Sequence, residues 1–162
     1  MFSLIFLLLL TVLTISAMQS STLQERMAGN ARDHSLAFQA AETGLHDAEA
    51  VLRTASPIFN TTGPYRVPLT NPTSPATWGA YTWDDANSKQ VATALDGISA
   101  TDKPRYVVEE LNSVSAAALT GSGIDVGSQQ NVQVTIYRVT SKGTGSTGKA
   151  VVILQSTSAP SL

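Results

Sequence analysis

Residues 2–18, FSLIFLLLLTVLTISAM, run without a proline into residues 19–53, QSSTLQERMAGNARDHSLAFQAAETGLHDAEAVLR, and the reading of this stretch decides the fold. Residues 1–24 hold no Asp, Glu, Lys, Arg or His. As a helix, Met1 to Met18 spans about 27 Å at the α-helical rise, close to the hydrocarbon thickness of a bilayer. A cleaved secretory signal needs a basic region before the apolar core and a small-x-small site after it. No Lys or Arg precedes Phe2, and Ser16-Ala17-Met18 is a poor cleavage context. The expectation is a retained anchor. The missing basic leader also leads us to expect that this numbering begins at a processed N-terminus.

Beyond Gln19 the helix changes character. Phe38, Ala41, Leu45, Ala48 and Leu52 recur at alternating spacings of three and four and predict an apolar stripe, with Arg32, Asp33, Glu42, Asp47 and Glu49 mostly off it. Glu49 and Arg53 are placed for an i,i+4 pair. Gly29 and Gly44 each lower helix propensity by roughly 1 kcal/mol relative to Ala and permit bending or close neighbours. Phe2 to Arg53 as one helix would be about 78 Å long, far more than a bilayer or a small head requires.

The chain has 162 residues, which suits an anchor plus one modest domain. From Ala55 onward seven Lys and Arg balance seven Asp and Glu, so no basic field exists to attract a nucleic acid. There is no Cys, which excludes disulfides and thiolate metal sites.

Two blocks in the helix carry a resemblance. Thr22-Leu23-Gln24-Glu25-Arg26-Met27-Ala28-Gly29-Asn30 and Ala37-Phe38-Gln39-Ala40-Ala41-Glu42 resemble the T-x-Q-E-R-M-A-G-N and A-F-Q-A-A-E blocks of the PilX-like minor pilins of type IV pili. The resemblance implies an α+β type IV pilin fold, with a long N-terminal helix packed on a C-terminal antiparallel sheet. It implies three parts: residues 1–24 as the transmembrane and filament-core half of the helix, 25–54 as its amphipathic half, and 55–162 as a β-rich head. Leu4, Ile5, Phe6, Leu7, Leu8, Leu9, Leu10, Val12 and Leu13 would make the assembly contacts. Gln24, Glu25, Arg26, Met27, Gly29, Asn30, Phe38, Ala41 and Glu42 carry the family motif. An apolar helix can leave lipid for a bundle of like helices at small cost, because lipid tails and Leu side chains are similarly apolar.

Most pilins resemble one another in a Glu at the fifth mature position. Here that place holds Ile5 if Met1 is the mature start, or Phe6 if Phe2 is. A buried terminal amine without a carboxylate is costly, which favours a minor over a shaft subunit. The implied partners are other minor pilins, the major pilin, the inner-membrane assembly platform, a prepilin peptidase and a PilY-type tip adhesin. The implied location is the inner membrane, head in the periplasm, and afterwards the extracellular pilus at or near its tip. A type II secretion pseudopilin and a membrane-anchored periplasmic binding module are the alternatives.

Beyond Thr54, five of the seven prolines fall within Pro57 to Pro75, which reads as an irregular connection. Trp78, Tyr81 and Trp83 follow, with Tyr81 and Trp83 spaced for one face of a strand packed on the helix or for a recognition surface. Core packing is the preferred reading. Tyr106 to Leu111, the alternating Val132, Val134 and Ile136, and Ala150 to Ser156 are the candidate strands. The last two flank a Gly-rich connection, Lys142 to Lys149, suited to a hairpin. Asn112 to Gly123, with Ala116 to Leu119, reads as loop or one helical turn.

Gly143-Thr144-Gly145-Ser146-Thr147-Gly148-Lys149 fits the start of a P-loop, but Ala150 stands where Ser or Thr must hold magnesium, and a strand follows where a helix is needed. His34 and His46 lie twelve apart without a zinc motif. Asp84, Asp85 and Asn87 offer oxygens without the calcium-loop pattern and read by default as a polar turn. Asn60-Thr61-Thr62 matches a glycosylation acceptor and is assigned no role. No nucleophile with a base can be named, so the expectation is a non-enzymatic subunit without cofactor or metal.

Overall fold

The computed structural model describes residues 2–55, 57–70, 73–92, 95–99, 101–115 and 133–159. One helix, α1 (Phe2–Thr54), runs unbroken for 53 residues, about 80 Å. Its C-terminal part packs on a sheet of five strands: β1 (Tyr65–Arg66), β2 (Lys89–Gln90), β3 (Arg105–Ser115), β4 (Gln133–Thr144) and β5 (Val151–Ser158). A short helix, α2 (Pro75–Gly79), precedes β2.

The three long strands lie at the three candidate strand segments and form an antiparallel meander, with Val108 opposite Val139 and Val139 opposite Ser156. The two-residue strands share the outer edge of β3. There β1 pairs parallel at Val108 and Glu109, and β2 antiparallel at Tyr106 and Arg105. The register slips between Glu110 and Ser113.

The sheet is covered on both faces. Toward α1 lie Tyr106, Val108 and Val139, packed with Ala48, Leu52 and Val91, and flanked by Leu45, Phe59, Tyr65 and Tyr137. Phe59 stacks on Tyr137 at 5.3 Å and meets Tyr65 edge-on at 6.2 Å. Alternation turns Glu109, Arg138 and Lys142 to the other face, under the connection between α1 and β3. There Glu109 Oε1 accepts the Leu69 N–H at 2.7 Å, and Lys142 Nζ lies 6.0 Å over the Trp83 ring. Glu109 Oε2 accepts from Arg138 Nε at 2.8 Å, with the glutamate fully buried.

Several expectations need correction. The buried stripe of α1 is Asp33, Ala37, Ala40, Ala41, Gly44, Ala48 and Leu52, so Phe38 is not on it and is 41% exposed. The cause is close approach: a Cβ at Gly143 of β4 would lie 2.1 Å from the Ala37 carbonyl oxygen, and one at Gly44 would lie 2.1 Å from Ser141 Oγ. Only small helix residues fit so near a strand. Asp33, expected off the stripe, is on it. Glu49 accepts from the Ser156 hydroxyl at 3.2 Å, and no Glu49–Arg53 ion pair forms.

Tyr81 and Trp83 are not in a strand and lie on the sheet face away from α1. They form an aromatic cluster with Trp78 of α2, at centroid distances of 5.1 to 5.7 Å. Trp78 is 2% exposed, so the core reading holds for it. Arg66 Nη1 donates to the Tyr81 hydroxyl at 3.0 Å, and that hydroxyl donates to the Asn87 carbonyl at 2.8 Å. The proline-rich connection contains β1, and α2 begins at Pro75. Strand β4 runs through Thr144, which shortens the hairpin turn to residues 145–150. Asn112 to Ser115 belong to β3, while Ala116 to Leu119 and Val132 lie outside the described residues.

Candidate functional site

Residues 2–32 of α1 are exposed along their whole length in the described molecule. Leu4, Ile5, Phe6, Leu7, Leu8, Leu9, Leu10, Val12 and Leu13 are 49% to 70% exposed and lie on every side of the helix. A helix apolar all round and bare has its packing partner elsewhere, in lipid or in other helices. Three of its threonines fit that setting. The hydroxyls of Thr11, Thr14 and Thr22 fold back on the carbonyls of Leu8, Leu10 and Met18 at 2.8, 2.8 and 3.0 Å. Each hydroxyl proton is thereby satisfied within the helix, as an apolar medium requires.

The motif residues divide into two groups. Gln24, Glu25, Arg26, Met27, Gly29 and Asn30 are exposed, on the part of α1 that projects from the head. Ala41 is fully buried against the sheet, whereas Phe38 and Glu42 face solvent. Arg26, Gly29 and Asn30 border an open groove of about 540 Å³ beneath the head, with Arg32, Asp33 and Leu36 from the helix and Gly97, Ser146 and Thr147 from the head.

Asp33 was not legible as a working residue, yet it locks α1 to the β4–β5 turn. Its Oδ1 accepts the Ser146 hydroxyl at 2.9 Å and the Thr147 N–H at 3.1 Å, and its Oδ2 accepts the Thr147 hydroxyl at 2.5 Å. Gly145 comes so near that a Cβ there would lie 2.5 Å from Asp33 Oδ1. Gly148 closes the turn at φ +73°, a left-handed conformation natural to glycine. The segment that imitates a phosphate loop is therefore an anion cradle filled by the chain's own carboxylate. Extending the Ala37, Ala40, Ala41, Gly44, Ala48 spacing back one turn would have found it.

The Thr147 hydroxyl first, then its N–H, hold the Asp33 carboxyl below the ordinary carboxylate value, against burial, which acts the other way. The unfolded chain thus takes up this proton more readily than the folded one. The contribution is fully present above the unfolded value of 3.8 and is lost as pH falls through the folded value. Asp33→Asn is expected to make thermal stability less sensitive to pH in that acid range. Parallel melts of the two proteins check this, and superimposable pH profiles would contradict the lock.

The remaining polar candidates are engaged within the head. Asp84 Oδ1 accepts from the Asn87 backbone and side-chain nitrogens, each at 2.8 Å, and Asp85 pairs with Arg105 at 2.7 Å. Among the described residues no three His, Asp or Glu gather as a metal site.

Two family models match the chain. One, described as PilX N-terminal, covers residues 1–46, and the other, described as Type IV pilus assembly protein PilX C-term, covers residues 36–160. No curated protein and no solved structure matches it.

Proposed function

Because this chain belongs to the PilX family of type IV pilus assembly proteins, we propose that it is a non-enzymatic minor pilin that helps prime pilus assembly and sits at or near the pilus tip. The observation that carries this reading is the bare, uncharged N-terminal half of α1, continuous with a far half on which the described residues of the head pack. Residues 1–24 serve as membrane anchor before assembly and as filament core afterwards, residues 25–54 carry the head, and residues 55–162 present it. Leu4 to Leu10, Val12 and Leu13 make the contacts with neighbouring helices.

The partners are the major pilin, other minor pilins, the inner-membrane platform and a PilY-type adhesin. Before assembly the head lies in the periplasm.

A charge in the apolar helix tests the assignment. Arg or Lys at the centre of a membrane helix costs roughly 2.5–3.5 kcal/mol on insertion scales. Deleting the gene is expected to lower surface piliation several-fold. Wild-type protein and Leu8→Ile should restore it, and Leu8→Arg should not, although its head keeps its fold by circular dichroism. Unchanged piliation in the deletion strain would sink the priming role.

A further inference from the structure

We propose that the groove beneath the head, bordered by Arg26 and Arg32, holds the phosphate of a lipid in the leaflet on the head side while the chain is seated in the membrane. The inference rests on the membrane-seated state of α1, and four observations carry it.

Depth comes first. The uncharged run of residues 2–24, about 35 Å of helix, is long enough to fill the roughly 30 Å apolar layer, and Glu25 and Arg26 are the first charged residues after it, within the headgroup zone. Arg32 lies about 9 Å further, and helical side chains lean toward the N-terminus, a direction that lets a long side chain there reach back toward the bilayer.

Second, Arg26 and Arg32 both line one groove of about 540 Å³, and neither forms an ion pair among the described residues. Third, the acid that lines this groove, Asp33, has its oxygens occupied by Ser146 and Thr147. Fourth, the helix wall between the two arginines is open, because a Cβ at Gly29 would meet nothing within 4 Å. An arginine fork is suited to a phosphate, which it can grip through paired N–H groups.

The test uses the full chain reconstituted in nanodiscs containing phosphatidylglycerol and released intact into a mass spectrometer. Wild-type protein is expected to keep one lipid under activation that strips it from Arg26→Gln/Arg32→Gln, with at least a tenfold difference in occupancy, and Arg26→Lys/Arg32→Lys should fall between them. Both arginines are exposed, so neither variant threatens the head fold.

Equal lipid retention by wild type and the glutamine variant would overturn the proposal. So would displacement of the lipid by inorganic phosphate, which would mark a free-anion site. If retention is equal but the glutamine variant is lost from sheared filaments, the arginines meet a protein neighbour instead, and the lipid assignment falls. Failure of the wild-type chain to enter the nanodisc would remove the membrane-seated premise itself, a result distinct from entry without bound lipid.

Discussion

Replacing Glu109 with alanine is expected to destabilise the head by about 3–5 kcal/mol, the usual cost of removing one partner from a buried ion pair. Glu109 is fully buried on β3, and Arg138 beside it on β4 is only 12% exposed. The substitution would leave the guanidinium charge without its carboxylate and the Leu69 N–H without its acceptor. Both losses fall on the face where the connection from α1 is held to the sheet. Against a typical domain stability of roughly 5–15 kcal/mol, this is a large share. Replacing both members, as in Glu109→Leu/Arg138→Met, should recover much of the loss, because the penalty arises mainly from the stranded charge. Denaturant unfolding of the single and double variants checks this, and additive losses would show that the pair does not act as a unit.

Gly143→Ala is expected to cost roughly 3 kcal/mol, at the upper end for overpacking a well-filled core. The new methyl would lie 2.1 Å from the Ala37 oxygen and 2.3 Å from the Ala41 nitrogen, both backbone atoms of a helix that cannot rotate away. The helix would have to lift from β4. That movement would loosen Asp33 from Thr147 and open the interface at Ala40, Ala41 and Gly44. A thermal melt should show a sharply lowered midpoint. Gly29→Ala, where the added methyl meets nothing, should instead hold or raise stability through its better helix propensity. Equal melting temperatures for wild type and Gly143→Ala would contradict the close helix–strand contact.

The parts of the fold that repeat were legible, and the parts set by single long-range contacts were not. An uninterrupted run from Phe2 to Arg53 and three segments rich in β-branched residues, one of them alternating, announce a long helix and an antiparallel sheet, since each signal is summed over several residues. The strands β1 and β2 have two residues each, too short to carry a period. Phe38 looked like core because hydrophobicity alone cannot reveal that Gly143 draws β4 against the helix. Asp33 looked like a solvated acid because its ligands, Ser146 and Thr147, lie more than a hundred positions away. The bare apolar stretch that contains the proposed assembly residues was readable from the missing charge over residues 1–24. The groove between Arg26, Arg32 and the β4–β5 turn required knowing which loop hangs over the helix.

The central claim is that the bare half of α1 carries this chain from membrane to filament. Quantitative mass spectrometry of sheared surface pili tests it most directly. The chain is expected in the filament fraction at a small fraction of the shaft subunit, with Leu8→Arg absent from it. Detection of the chain only in membranes, with filaments free of it, would contradict the claim and leave α1 a plain anchor.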